Sequence, residues 1–390
     1  MFTVDSYIPT RIVFGAGRLD ELATLPLPGK KALICTTPSR RPAAIALLGR
    51  VRTLLERNGA AAAVFDRIAP NPTKRSVEEG TALALREGCD FLLGLGGGSS
   101  IDCAKAIAVM LRSPGNLWDY AYTGTGGKKT PEAAAPLVTV TTTCGTGTEC
   151  DPYCVITNEE TGEKLDFAAD ALFPVFSIID PELLLSLPRD LSIYQGFDGL
   201  FHAAECYVCN GHANRMVDLY ALESVRIISR ALPAALRSPD DLEARTELAF
   251  ACDILSGYTQ ALTSVTSHHI LGQTLGGLFP EMPHGATLIT VAEAYYSKAC
   301  ALLPDVFDEL GEAMGAPRES GRPGHAFVAA LGRLMDETGC RALSLRDFGI
   351  SHGDFRRIVD MTVDQVGISL DRYPLTKEDM LSILADSLSK

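Results

Sequence analysis

Positive charge is in short supply in this chain. Thirty-five lysines and arginines stand against 48 aspartates and glutamates, a formal net charge of −13. That balance argues against a nucleic-acid partner, which needs clustered basic residues. Long apolar runs are also missing: no stretch approaches the roughly 20 consecutive apolar residues of a membrane span, so no membrane partner is expected. The opening "MFTVDSYIPT" has no basic segment leading into an apolar one, and no secretory signal is read there. Internal repeats and low-complexity segments are absent. The eleven cysteines are odd in number and scattered without the spacing of a disulfide framework. Free thiols and a cytoplasmic location are the expectation.

What is present is enough apolar material to fold. Hydrophobic residues make up 46% of 390 positions, which excludes wholesale disorder. Single cores stop growing near about 250–300 residues, so two domains are expected. The first half alternates strand and helix patterns: "KKALIC" (30–35), a helix over 43–59 ending at Asn58-Gly59, "AAAVFD" (61–66), a helix over 73–88, "DFLLGLGGGSS" (90–100), a helix over 101–114, and "PLVTVTTT" (136–143). Such alternation predicts an α/β layer with a parallel sheet. Beyond 178–190 the strand signals fade, and amphipathic helices dominate, as over 213–236 and 326–339. Pro188 marks the expected border.

Two glycine-containing turns follow predicted strands. In "GLGGGSSIDCAKA" (94–106), glycines without Cβ allow backbone amides to approach a phosphate, and the next helix aims its positive end there. Gly97, Gly98 and Ser99 could cradle a diphosphate; a tight turn with no ligand is the plainer alternative. The pattern is not a standard G-x-G-x-x-G with an acid about 20 residues later. In "VTVTTTCGTGTE" (138–149), threonine hydroxyls and free backbone suit a polar ligand, although a β-branched strand and turn would read the same way.

Asp198 and His202, in "GFDGLFHAAE" (196–205), stand one helical turn apart on one face. Alone, such a pair is more often a surface hydrogen bond. The segment 266–289 adds His268, His269 and His284 among apolar residues, with Glu281 as the sole other ionisable group. One carboxylate with three imidazoles suits zinc, ferrous iron and similar ions. Cys206 and Cys209 share the stripe of Asp198, but a C-x-x-C within a helix is more often two small buried residues.

Taken in order, "RIVFGAGRLDEL" (11–22), "APNPT" (69–73), "GGGSSIDCAKA" (96–106), "TTTCGTGTE" (141–149), "FDGLFHAAECY" (197–207) and "PHGA" (283–286) resemble the motifs of the iron-containing (group III) alcohol dehydrogenases over nearly the full length. The resemblance implies an α/β N-terminal dinucleotide-binding domain with a parallel sheet over 1–188. It further implies an all-α, metal-binding C-terminal domain over 189–390, on a dehydroquinate synthase-like scaffold with a cleft between the two. Carried over by motif, the catalytic metal ligands are Asp198, His202, His269 and His284. His269 is chosen because it precedes "ILGQTLGG" in the family's H-x-x-x-H-x-L-G-G register; His268 is the alternative. Cofactor-side positions are Thr37, Asn71, Gly97, Gly98, Ser99, Asp102, Thr142, Thr143, Thr146 and Lys164. A lysine in "TGEKLDF" is often only a solvated turn residue.

Three departures stand out. Gly199 occupies a position where the family usually has alanine. Gln273 replaces the register's second histidine, which in family members can relay a proton; glutamine cannot titrate near neutral pH. Thr37 stands where NAD-preferring members often carry an acid, with Ser39, Arg40 and Arg41 close by. The absent carboxylate and nearby cations suit a 2′-phosphate, so NADP(H) is expected over NAD(H); two arginines beginning a solvated helix is the alternative. The resemblance implies a divalent ion, Fe2+ before Zn2+, acting as Lewis acid on a small alcohol, aldehyde or ketone, and a homo-oligomer is expected. Phe197, Phe201 and Phe279 suggest an apolar substrate pocket or ordinary core. Rival readings are a metal-dependent lyase or sugar-phosphate enzyme on the same scaffold, and a non-catalytic nucleotide-binding module. The absence of lysine and arginine from 191–214 disfavours the lyase. Retention of four ligand types disfavours the module.

Overall fold

The computed structural model describes residues 4–368 and 371–388. The chain divides into two compact units, one spanning Ile8–Leu187 and the other beginning at Pro188 and running to the C-terminus. Residues 4–7 belong with the second unit, not with the first as the expected 1–188 boundary has them; the Asn214 side-chain amide donates to the Asp5 carbonyl at 2.9 Å.

The first unit carries a six-stranded sheet of β1 (Arg11–Phe14), β2 (Lys31–Cys35), β3 (Ala61–Phe65), β4 (Phe91–Gly96), β5 (Leu137–Thr141) and β8 (Phe176–Ile179), in the order β1-β8-β5-β4-β2-β3. Every pairing in it is parallel. Helices α1 (Pro42–Arg57), α2 (Lys74–Glu87) and α3 (Gly98–Met110) make the crossovers. Central strand β4 is buried at every position, the near-continuous apolar run that a parallel sheet covered on both faces demands. From β2 the chain steps outward to β3 and then back across β2 to β4. The point between β2 and β4, where strand order reverses, is where open α/β sheets bind ligands, beyond the strands' C-terminal ends.

Three features depart from the sequence reading. Strand β8, which lies between β1 and β5, was not expected. Helix α3 begins at Gly98, three residues before the expected start, so Gly98 and Ser99 belong to its first turn. An antiparallel hairpin, β6 (Tyr153–Asn158) and β7 (Glu163–Ala168), was not expected. The run 157–164, "TNEETGEK", is polar across the ends of both strands, and Gly162 supplies the left-handed turn.

The second unit is helical: α4 (Arg189–Asn210), α5 (Arg215–Arg237), α6 (Leu242–Ala249), α7 (Ser256–Leu262), α8 (Ser267–Leu278), α9 (His284–Leu302), α10 (Pro304–Ala313), α11 (His325–Thr338), α12 (Phe355–Asp360) and α13 (Lys377–Leu388). Helix α4 is its axis, buried along nearly its whole length and packed against α5, α7 and α9. A π-helical turn, Phe250–Leu255, joins α6 to α7. It explains Gly199: a Cβ there would stand 2.7 Å from Cys252 Sγ, so alanine does not fit without displacing that turn. No described helix is long and apolar enough to cross a membrane.

Candidate active site

In the first unit, the sheet's C-terminal edge gathers most of the expected cofactor residues. Gly97 caps α3 with extended backbone. A Cβ on Gly97 would lie 2.5 Å from Thr143 Oγ1, and one on Gly98 would lie 2.6 Å from Thr146 Cγ2. The glycine turn and the threonine loop therefore form one cradle that any side chain would fill, and the Thr142 amide donates to the Gly96 carbonyl at 3.0 Å. Gly97, Ser99, Thr142, Thr143 and Thr146 are half-buried, as a cradle open to a ligand requires. The Lys164 ammonium donates to Asn71 Oδ1 at 2.9 Å. Lys164 is a buried residue of β7, not a solvated turn residue. Asn71 itself has φ 56°, a left-handed conformation that few residues besides glycine and asparagine adopt.

Asp102 plays a different part from its neighbours. Its Oδ1 accepts from the Thr148 hydroxyl at 2.8 Å and its Oδ2 from the Val155 amide at 3.0 Å. Burial pushes its carboxyl up to about 6 against the pull of Lys105. Both oxygens tie α3 to the threonine loop and the hairpin. Lys105, fully buried, completes the knot through Thr148 Oγ1, the Asp151 carboxylate and the carbonyls of Asp151 and Tyr153, at 2.7–3.1 Å. Thr37 is half-buried just past β2, and Arg40 is exposed. Arg41 caps α1 and donates to the Ser186 carbonyl at 2.9 Å.

In the second unit, three helices converge on one point. Asp198 and His202 project from α4, His269 from α8, and His284 opens α9. Asp198 Oδ1 lies 3.4 Å from His269 Nε2, 3.5 Å from His284 Nε2 and 3.8 Å from His202 Nδ1. The His202 and His269 rings stack with centroids 4.3 Å apart. Ligand bonds of about 2.0–2.2 Å in a tetrahedron put neighbouring donor atoms about 3.3–3.6 Å apart, so the first two separations are those of donors sharing an ion. Gly285 makes the approach possible, because a Cβ there would run into the Tyr194 carbonyl of α4, one turn before Asp198.

The charges agree with the geometry. Burial opposes ionisation of Asp198, yet His202, His284 and His269 outweigh it and draw the carboxyl down to about 2. Burial would lower His269, but Glu205 and Asp198 raise it to about 9. The field of this largely buried site recruits positive charge. A carboxylate with neutral imidazoles is a nitrogen/oxygen donor set that fits a divalent ion such as Fe2+ or Zn2+.

His268 does not join this set. Its Nδ1 lies 2.8 Å from Glu205 Oε1 and its Nε2 3.1 Å from the Leu288 carbonyl oxygen, so both ring nitrogens are engaged elsewhere. Among the described residues Asp198, His269 and His284 form one cluster of potential metal donors; the expected ligand His202 stands just outside it, and Cys206 and Cys209 belong to no such cluster. Phe197 and Phe201 are fully buried; Phe201 packs its ring against His268 and Tyr296. They are supporting core, which leaves the half-buried Phe279 from the expected apolar lining. Gln273, one turn after His269, is buried, and its Oε1 has no hydrogen-bond partner among the described residues. Glu205 was assigned no role from sequence, although it follows Asp198 by seven positions and so shares its helical face.

A parallel nucleotide-type sheet and a helical unit with a carboxylate–imidazole cluster are the two parts of the chain. The family model "Iron-containing alcohol dehydrogenase" matches residues 9–181, and "Fe-containing alcohol dehydrogenase family, C-terminal" matches residues 192–388. The 1,3-propanediol dehydrogenase of Klebsiella pneumoniae is 32% identical over 340 residues, covering 86% of each chain. Alcohol dehydrogenase 4 of Saccharomyces cerevisiae (strain YJM789) is 31% identical over 383 residues, 97% of each. The NADH-dependent butanol dehydrogenase A of Thermotoga maritima superimposes with a TM-score of 0.88 at 28% identity, over 100% of this chain and 99% of that one. The chain belongs to the iron-containing alcohol dehydrogenase family. It has that family's Rossmann-like unit followed by an all-helical one, and the family supports a metal-dependent alcohol oxidoreductase using a nicotinamide cofactor.

Proposed function

We propose that the protein interconverts a small alcohol and its aldehyde or ketone with NADP(H), using one divalent ion, Fe2+ before Zn2+, held by Asp198, His202, His269 and His284. The observation that carries this reading is the grouping of Asp198, His269 and His284 from α4, α8 and α9, with His202 Nδ1 3.8 Å from Asp198 Oδ1 on the same helix. When bound, the ion supplies Lewis acidity toward the substrate oxygen and the nicotinamide gives or takes the hydride. Asp198 contributes one negative charge and the imidazoles none, so the donor set leaves net positive charge where oxygen gathers electrons. Gln273 can hydrogen-bond to substrate or water but cannot shuttle a proton. A solvent water or a ribose hydroxyl is left to do so.

On the cofactor side, the first-turn amides of α3 and the hydroxyls of Thr142, Thr143 and Thr146 receive the diphosphate. Lys164 and Asn71 form a further polar contact point. Selection of NADP(H) rests on Thr37, which presents no carboxylate to repel a 2′-phosphate, and on the exposed Arg40. Arg41 is partly committed to Ser186. The enzyme is proposed to work in the cytoplasm as a homo-oligomer; all eleven cysteines are free thiols.

The test is a panel of aldehydes assayed by NADPH and NADH oxidation, after chelation and after restoring Fe2+ or Zn2+. Metal-dependent turnover with NADPH preferred supports the reading. A clear kinetic preference for NADH overturns the cofactor assignment, and turnover untouched by chelation overturns the metal.

A further inference from the structure

Glu205 is heavily engaged at the start of α8. It is fully buried, at 0% exposure. Its Oε1 lies 2.7 Å from His269 Nδ1 and 2.8 Å from His268 Nδ1, with the Tyr296 hydroxyl at 3.3 Å. Its Oε2 accepts from the Thr266 amide and the Thr266 hydroxyl, both at 2.9 Å, and from the His269 amide at 3.3 Å. Thr266 is the N-cap of α8. One carboxylate from α4 therefore does two jobs on α8: it satisfies amides at the helix start, and it takes the inner nitrogens of two consecutive imidazoles.

We infer that Glu205 is the positioning residue of the metal centre: its carboxylate fixes the proton of His269 on Nδ1 and thereby reserves the Nε2 lone pair for the ion beside Asp198. A carboxylate only accepts, so each imidazole nitrogen facing it must donate. His269 Nδ1 sits at 2.7 Å from Glu205 and Nε2 at the longer 3.4 Å from Asp198 Oδ1, so Nδ1 keeps its proton and Nε2 is the nitrogen that gives up its proton, and so offers its lone pair, when an ion binds. Second partners of this kind fix ring orientation and raise ligand basicity. The same contacts exclude a rival arrangement. Glu205, His268 and His269 also cluster closely enough to suggest a second ion, but separations of 2.7–2.8 Å between their atoms are hydrogen-bond lengths. An ion there would need both Nδ1 lone pairs and would take His269 Nδ1 from its present partner.

Glu205→Gln separates orientation from packing. A carboxamide offers one accepting oxygen and one donating nitrogen at the same size. If the oxygen stays with the Thr266 and His269 amides, the NH2 group faces the imidazoles and favours their opposite tautomer, which protonates His269 Nε2. If the amide turns over, it confronts the α8 amides with a donor. Either way the ligand atom or its helix loses support.

This inference rests on the metal-site reading above, and the experiment distinguishes the two. Purified full-length protein is stripped of metal and titrated with Zn2+ against a competing chelator, alongside circular dichroism and metal stoichiometry. The expected results are one ion per chain in the wild type, a roughly 10–100-fold weaker affinity in Glu205→Gln with helical content retained, and partial recovery in Glu205→Asp, which keeps the charge. His268→Gln should still bind one ion, since His268 is not a ligand. A wild type that binds no ion removes the metal-site reading. One ion bound equally tightly by wild type and Glu205→Gln overturns the inference about Glu205 alone, as does a wild-type stoichiometry of two that falls to one in His268→Gln. Should Glu205→Gln fail to fold, the Glu205→Asp affinity and the His268→Gln stoichiometry decide by the same criteria.

Discussion

At the scale of single residues, Asp198 is where removal should cost most, because its Oδ1 faces three imidazoles. Asp198→Ala is expected to abolish metal retention and lower kcat/KM by more than the roughly 10–100-fold loss typical of an orienting partner, with the unfolding transition still cooperative. Metal analysis of the purified variant, together with NADPH-coupled turnover, checks it; turnover within twofold of wild type would count against the site. Gln273 makes the complementary case. Restoring a titratable ring with Gln273→His should add a limb near about pH 6.5 to the kcat/KM profile, the ordinary range of imidazole. A profile superimposable on wild type would show that position 273 does not reach the reacting groups. The four proposed ligands were legible because Asp198 and His202 share a helical face and because His269 and His284 sit in identifiable motifs. Choosing His269 over His268 needed register matched to a family. The physical reason, that His268 spends both nitrogens on Glu205 and Leu288, is a tertiary fact with no local signal. Asp102 was legible as important but not as a brace, since its partners Thr148 and Val155 lie 46 and 53 residues away.

At the scale of elements, the site depends on how closely α9 approaches α4. Gly285→Ala would press a methyl group into the Tyr194 carbonyl. Overpacking of this sort costs about 1–3 kcal/mol, and here it also withdraws His284. The expected outcome is a lower Tm for the helical unit together with weaker Zn2+ binding in chelator competition; a change in Tm with unaltered affinity would show that α9 can adjust without moving its histidine. Most helices and strands of the first unit could be read from periodicity and from breakers such as Gly88 and Asn58-Gly59. The hairpin β6–β7 could not, because the polar run 157–164 covers the ends of both strands and reads as a loop. The start of α3 was misplaced because glycines score poorly as helix formers, yet Gly97 and Gly98 are there to let the threonine loop come close.

At the scale of the whole molecule, two units with separate ligands should respond to them separately. Chelation should lower the thermal transition of the helical unit, while NADPH at about 100 times its dissociation constant should add roughly 2.7 kcal/mol to the unit that binds it. Differential scanning calorimetry of the apo, metal-loaded and NADPH-bound forms reads this directly, and a single transition raised by either ligand would show that the two units unfold as one and overturn the separate response. Acidity provides another probe. Burial, reinforced by Asp151 and only partly opposed by Thr141, the local backbone and Lys105, raises the Glu149 carboxyl to about 7. The folded state then holds this proton more tightly than the unfolded state does. Its stabilising contribution is complete below the ordinary carboxyl value and is lost as pH climbs through about 7. Glu149→Gln should therefore flatten the stability profile across that window and be the more stable protein at about pH 8, as measured by urea midpoints; a variant as pH-sensitive as wild type would contradict it. Finally, mounting Asp198, His202 and Glu205 on one uninterrupted rod makes the centre heritable only as a block. Point changes can be explored one at a time, but losing a single codon between 202 and 205 would swing everything downstream by about 100°. Lineages of this scaffold should therefore vary freely in loop length while keeping the spacing within this helix fixed.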